Sequence, residues 1–314
     1  MSRSTISTFQ LFQLFPDAES ARVYLEGRLW PKGVVCPDCK ATERIGTRKG
    51  GYYRCHSCNL DFTVRTGTIF ERSHVPLHKW VYSMYLLVTA RKGISSVQLA
   101  KEIGITQKSA WFVLQRLREA CGHDTAKLKG IVEVDEFYVG GLEANKHEAD
   151  KLRRGGGAVG KTPVIALRER GGRTKAVVLK NTDRSSLYTA VFNNVEHGST
   201  LHTDEQRGYE GLDRRSYVHE RINHSLKEYY RNGVTTNGVE SVFAVMRRGL
   251  HGVYHKASVK HLRLYVNEFT FRLNEGNVKR HSLDRLASFV AAVAGKRLTY
   301  VRLTEGKRGE AIPM

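Results

Sequence analysis

Asp135, Asp204 and Glu240 are the residues whose spacing most directly suggests chemistry. Asp135 lies in the middle of the alternating run Ile131-Val-Glu-Val-Asp-Glu-Phe-Tyr-Val139. Asp204 ends the short run Ser199-Thr-Leu-His-Thr-Asp204, and Glu240 falls early in a helical stretch that begins at Thr236, thirty-five residues further on. Carboxylates converging from separate elements are what two divalent ions about 3.5–4 Å apart require, one activating an attacking oxygen and the other stabilising the leaving oxygen of a phosphoryl transfer. Carboxylate and water ligands suit Mg2+ or Mn2+ rather than zinc. Arg247 follows Glu240 by seven residues, about 10 Å along one helix face, where a cation, with Arg248 beside it, meets a phosphate backbone. Asn237, one turn before Glu240, shares that face and is placed to bind a phosphate or orient a carboxylate. Glu133, Glu136 and Glu205 are the acidic competitors nearby, and His202 shares a strand face with Asp204 if the strand is regular.

A second metal chemistry stands upstream. Cys36-Pro-Asp-Cys39 and Cys55-His-Ser-Cys58 are two Cys-x-x-Cys knuckles separated by fifteen residues. That spacing predicts a closed, tetrahedral, structural Zn2+ site. The fifth cysteine, Cys121, stands alone and is expected to pack as a small buried hydrophobe. So few cysteines in 314 residues exclude a disulfide framework and point to a reducing, cytoplasmic compartment. The N-terminus lacks the apolar core of a signal peptide, and the apolar run Leu286–Ala294 is about half the length needed to span a bilayer. No membrane association is expected.

The chain carries 51 Lys and Arg against 31 Asp and Glu, a formal charge of +20. Residues 1–130 hold 20 basic and 10 acidic residues and residues 131–314 hold 31 and 21, so each part carries +10. An excess spread in this way suits a protein lying along a polyanion with its whole body, and nucleic acid is the expected partner.

The elements that must position these residues follow from periodicity. Residues 18–30 read as a helix, residues 44–55 as a hairpin turned at Gly50-Gly51, and Asn59–Arg65 as a third strand of a small ribbon. Leu77–Ala90 is an apolar helix. Beyond Gly93, residues 94–118 have helix-turn-helix spacing around Gly104, with Thr106 capping a second helix that carries Gln107, Lys108, Gln115 and Arg116 as candidate DNA contacts. After Gly130 the pattern becomes strand, glycine-rich loop to Gly160, hairpin across Gly171-Gly172, helix from Ser185 to Val195 and strand to Asp204. Tyr217-Val-His is a further short strand, and two helices, from Thr236 to Leu250 and from Lys260 to Asn274, follow.

Val134-Asp-Glu-Phe-Tyr-Val-Gly-Gly141, Asn145-Lys-His147, Thr203-Asp-Glu-Gln-Arg-Gly-Tyr209, His224-Ser225 and Thr236-Asn-Gly-Val-Glu240 through Arg247 to His255 closely resemble the DDE transposases of small bacterial insertion sequences. The specific resemblance is to the group numbered fifteen ninety-five, and it runs from about residue 15 to 275. It implies an α/β chain in which a zinc ribbon and a helix-turn-helix region precede an RNase H-like catalytic domain. The expected division is residues 1–70 for the N-terminal helix and ribbon, 71–128 for the helical DNA-binding region, 129–280 for the catalytic domain and 281–314 for a C-terminal tail. The resemblance further implies that Asp135, Asp204 and Glu240 are the Mg2+ or Mn2+ triad. Its implied activity is cleavage at the terminal inverted repeats of the element and transfer of the freed 3′ ends into target DNA. A homodimer or larger assembly on double-stranded DNA, in a bacterial nucleoid, is the expected working form.

Overall fold

The computed structural model describes residues 5–122, 125–141, 146–152, 158–276 and 280–304. Two compact units are present, residues 1–123 with 275–314, and residues 124–274. Part of the loop expected between Gly140 and Gly160, Asn145 included, lies outside the described residues, as does the end of the chain beyond residue 304.

In the first unit, helix α1 (Thr8–Leu14) leads to α2 (Ala18–Leu29), whose start is fixed by a capping box between Asp17 and Ser20. The ribbon is a three-stranded antiparallel sheet, β1 (Ile45–Arg48), β2 (Tyr52–Cys55) and β3 (Asp61–Phe62). Gly50 and Gly51, with φ of 72° and 74°, make its turn, a conformation that residues with a Cβ adopt at a cost. The third strand is shorter than the alternation predicts. Asn59 has a φ of 62°, and a turn closed by Thr66 N donating to Thr63 O takes over after Phe62. Tyr53 stacks on Phe62 and Trp30 meets both edge to face, with ring centres 5.4–6.0 Å apart, beside the buried Cys36 and Cys55. That is a very small core.

Helix α3 (Leu77–Thr89) buries Trp80, Met84 and Leu87. Helices α4 (Ser96–Ile103) and α5 (Gln107–Cys121) form the expected helix-turn-helix, with Gly104 in the left-handed conformation and Thr106 accepting from Ser109 N. The segment expected as a tail carries α9 (Ser282–Ala291) and α10 (Tyr300–Thr304). Leu286, Phe289 and Val290 of α9 are fully buried, and Arg285 donates to Val88 O at the end of α3. The apolar run Leu286–Ala294 is therefore a short packed helix and its exit, and among the described residues no helix is long and apolar enough to cross a membrane.

The second unit is built on five strands, β4 (Ile131–Val139), β5 (Thr162–Glu169), β6 (Thr174–Val178), β7 (Thr200–Thr203) and β8 (Val218–Arg221). Their order is β6-β5-β4-β7-β8. The first three pair antiparallel, while β7 and β8 run parallel to β4. This is the RNase H-like arrangement. Alternation along β4 sends Val132 and Val134 to one face, against Leu187 and Val191 of α6 (Arg184–Asn194). Phe137 goes to the other, against Val239, Val242 and Phe243 of α7 (Asn237–Gly249) and Leu262, Val266 and Phe269 of α8 (Val259–Glu275). With both faces covered, β4 has polar side chains where a chemical site is formed.

Candidate active site

The β4–β7 register pairs Ile131 with Thr200, Val132 with Leu201 and Glu133 with His202. Carried two residues on, it brings Asp135 of β4 level with Asp204, the residue just past the end of β7. Burial first, and the negative charge of Asp204 second, push the Asp135 carboxyl up to about 8. Burial also raises Asp204. Each accepts a single backbone hydrogen bond, Asp135 from Glu136 N (2.7 Å) and Asp204 from Gln206 N (3.0 Å). Among the described residues no Lys or Arg pairs with either, and His224 is the basic group that opposes the rise of Asp204.

The acidic neighbours are all committed elsewhere. Glu136 accepts from the hydroxyl of the fully buried Tyr209, and burial raises it to about 7. Glu205 accepts from Ser225 Oγ and from the backbone N–H groups of His224 and Ser225, and the Ser225 hydroxyl bond, the largest cause, holds it down at about 2. Glu133 is buried, pairs with Arg170 at 3.2 Å and accepts from Val239 N at 3.0 Å. That last bond caps the first turn of α7 with a negative charge, the sign the helix N-terminus favours. The cap fixes the turn that carries Glu240.

Gly238 permits the cap. A Cβ there would lie 2.5 Å from Glu133 Oε2, and its carbonyl accepts from Arg168 at 2.8 Å. Gly238→Ala is expected to cost about 1–3 kcal/mol through this overlap. It should lower the midpoint of urea denaturation, and an unchanged midpoint would refute the close approach.

Glu240 is nearly half exposed, with Oε1 3.3 Å from the donating Thr236 hydroxyl and 3.6 Å from His224 Nε2. Its distance from Asp135 is short enough for its charge to contribute to the Asp135 shift. The three carboxylates are not drawn together as tightly as the cysteines, which are the one group among the described residues whose ligand atoms all lie within 4.8 Å. Arg247 is exposed on α7 with its guanidinium 6.0 Å from the centre of the Phe137 ring, two residues beyond Asp135 on β4. Asn237 and Arg248 are exposed as well. His202 is buried, its Nδ1 facing Arg170 (3.3 Å) and Thr235 N (3.4 Å), and burial lowers its basicity. It is a packed histidine.

At the ribbon, Cys36 Sγ lies 3.6 Å from Cys58 Sγ, and Cys39 Sγ lies 3.6 Å from Cys55 Sγ. A tetrahedron with 2.3 Å zinc–sulfur bonds has edges of about 3.8 Å, so these four thiolates have the geometry of a structural zinc site.

Two of the expected DNA contacts on α5 are corrected. Gln115 is fully buried, and Arg116 is buried and donates to the carbonyls of Ile69, Glu71 and Leu298. Helix α5 runs through the unit interior, so its second half faces protein on every side. Gln107 and Lys108, in the first turn, are exposed. Gln107 donates to Ser96 Oγ, and the Lys108 ammonium sits 5.1 Å from the centre of the Tyr300 ring. Sequence reading missed the work of Glu133, Glu205 and the Glu136–Tyr209 pair. The adjacent acids in Asp135-Glu136 were the available signal, since a strand turns such neighbours to opposite sides.

An RNase H-like sheet with Asp135 on its central strand and Asp204 just past the neighbouring one stands in one chain with a four-cysteine ribbon, and comparison with known proteins places that chain in the DDE class. The model of the ISXO2-like transposase domain matches residues 127–274, and that of the transposase zinc-ribbon domain matches residues 16–61. An uncharacterized protein in transposable element ISH50 of Halobacterium salinarum is 32% identical over 258 residues, covering 77% of this chain and 86% of that one. An uncharacterized transposase-like protein of Haemophilus influenzae is 29% identical over 103 residues, covering 33% and 82%. The chain belongs to the ISXO2-like family of DDE transposases, enzymes that cleave DNA strands and transfer them.

Proposed function

We propose that Asp135, Asp204 and Glu240 hold two divalent ions, Mg2+ or Mn2+, and that the chain uses them to cut at the ends of its element and join the 3′ ends to target DNA. The observation that carries this reading is the pair of half-buried carboxylates Asp135, on β4, and Asp204, just past the end of β7, with no Lys or Arg paired to either among the described residues. Hard oxygen donors left in that state suit a hard cation. When bound, such ions supply Lewis-acid stabilisation of the phosphoryl oxygens and activation of the attacking oxygen.

The chain's own groups do the rest. Strand β4 carries Asp135 and the end of β7 leads directly into Asp204, while Glu133 fixes the turn of α7 that presents Glu240. Arg247 and Arg248, exposed on the same helix, neutralise phosphates beside the carboxylates, and Asn237 offers an amide to a phosphate from the first turn. Gln107 and Lys108 are placed to meet base edges or phosphates with the N-terminal turn of α5. The ribbon adds basic surface for double-stranded DNA at the terminal repeats, and two or more copies act together on paired ends.

Asp204→Asn tests the assignment. Strand cleavage and joining on a substrate with the element's ends should be lost while DNA binding persists. Retained joining would overturn the triad. Cut ends that are released and never joined would instead favour a purely hydrolytic nuclease.

A further inference from the structure

The segment after β8 exposes three large apolar side chains within five residues, Leu226 (77% exposed), Tyr229 (56%) and Tyr230 (66%). It is nevertheless a built structure. Asn223 Oδ1 accepts from Leu226 N, Glu228 accepts from Asn223 N, Arg231 donates to Arg221 O, and Thr235 donates to Tyr229 O. Lys227 and Asn232 adopt positive φ, 58° and 47°, so the chain accepts backbone strain to hold this shape. The apolar groups are held outward by a hydrogen-bonded scaffold, where burial would have been the cheaper outcome.

Its position gives the shelf a use. The Tyr229 ring lies 5.4 Å from the His224 ring, and His224 Nε2 is 3.6 Å from Glu240 Oε1. Ser225 and His224 together bind Glu205, the residue next to Asp204. The shelf is therefore one side chain away from the carboxylates; its exposed cations are Lys227 and Arg231, the latter paired with Glu228 at 3.4 Å.

We propose that Tyr229 and Tyr230 form a stacking platform for unpaired bases of the DNA strand being cut, with Lys227 and Arg231 taking the adjoining phosphates. Charge complementarity selects the occupant, because Lys227 and Arg231 flank the rings, with Glu228 offsetting Arg231 in part, in a chain of net charge +20. A base offers an aromatic face to a tyrosine only when it has left the duplex stack, so the ligand is single-stranded or flipped DNA rather than intact duplex. The inference rests on the transposase reading for its placement, but not on the triad assignment.

The test uses the full-length protein with zinc retained and no other divalent ion added. Affinity is compared for a blunt duplex and for the same duplex with an oligothymidine overhang. The wild-type chain should prefer the overhang. Tyr229→Ala and Tyr230→Ala should each reduce that preference about tenfold, within the range found for stacking of one base, and leave blunt-duplex affinity unchanged. Trp at either position should restore it. Equal affinity of wild type and variants for the overhang would overturn the platform, and so would a change of oligomeric state in the variants without a change in overhang preference. Asp204→Asn should keep the preference. Metal-dependent cutting and joining retained by Asp204→Asn, with the overhang preference intact, would remove the triad reading and leave the platform standing.

Discussion

Asp135→Asn is expected to abolish strand cleavage and joining and, at the same time, to stabilise the divalent-free protein at alkaline pH. Loss of one carboxylate ligand removes about 4 kcal/mol of charge stabilisation in the transition state. That is about a thousandfold in rate. The stability effect has the opposite sign because the wild-type carboxylate is half-buried beside Asp204 with no Lys or Arg paired to it among the described residues. Its folded value, about 8, lies above the unfolded 3.8, so the folded state binds the proton more tightly. The associated stability is complete below 3.8 and is lost as pH rises through about 8. Asparagine stays neutral throughout, and its Oδ1 can still accept from Glu136 N. Thermal unfolding measured across a pH series, without added Mg2+, should therefore fall less steeply for the variant. Parallel slopes would show that the crowding of Asp135 and Asp204 is unimportant. Added Mg2+ should raise the midpoint of the wild type at alkaline pH and do little for the variant.

Cys36→Ser is expected to have the largest effect on folding. Cys36 is fully buried and 3.6 Å from Cys58 Sγ, and a serine hydroxyl is a poor substitute for a thiolate on zinc. The ribbon's aromatic core amounts to Trp30, Tyr53 and Phe62, too little to order its strands alone. Metal binding supplies about 10–16 kcal/mol in small zinc modules, so most of the ribbon's folding free energy should go with the ion. Zinc content should drop below one per chain, residues 36–62 should become sensitive to limited proteolysis, and DNA binding should weaken. A variant that keeps its full zinc content would refute the four-thiolate site.

Much of the architecture was legible along the chain because it is written in local periodicity. The alternation in Ile131–Val139, the glycine turn at Gly50-Gly51 and the cap at Thr106 each depend on neighbouring residues, and each forms where expected. Gln115 and Arg116 show the limit of the same reasoning. Their polar types on a presumed recognition helix suggested DNA, but α5 is covered on its second half and Arg116 satisfies three backbone carbonyls of its own unit. Burial of a long polar side chain depends on what packs over it, here the stretch around Leu298 that is far away in sequence.

The sequence by itself determined the chemistry available: four cysteines at zinc spacing, three acidic residues on separate elements, and a basic surface for DNA. Residue type and local spacing suffice for that, because they set which ligands and charges exist. Only the tertiary structure decided how the acids divide their labour. Glu133 pairs with Arg170 and caps α7, Glu205 accepts from His224 and Ser225 and Glu136 accepts from Tyr209, whereas no Lys or Arg pairs with Asp135 or Asp204 among the described residues. Those partners come from distant parts of the chain, and a carboxylate's role follows from which hydrogen-bond donors surround it rather than from its place in the sequence.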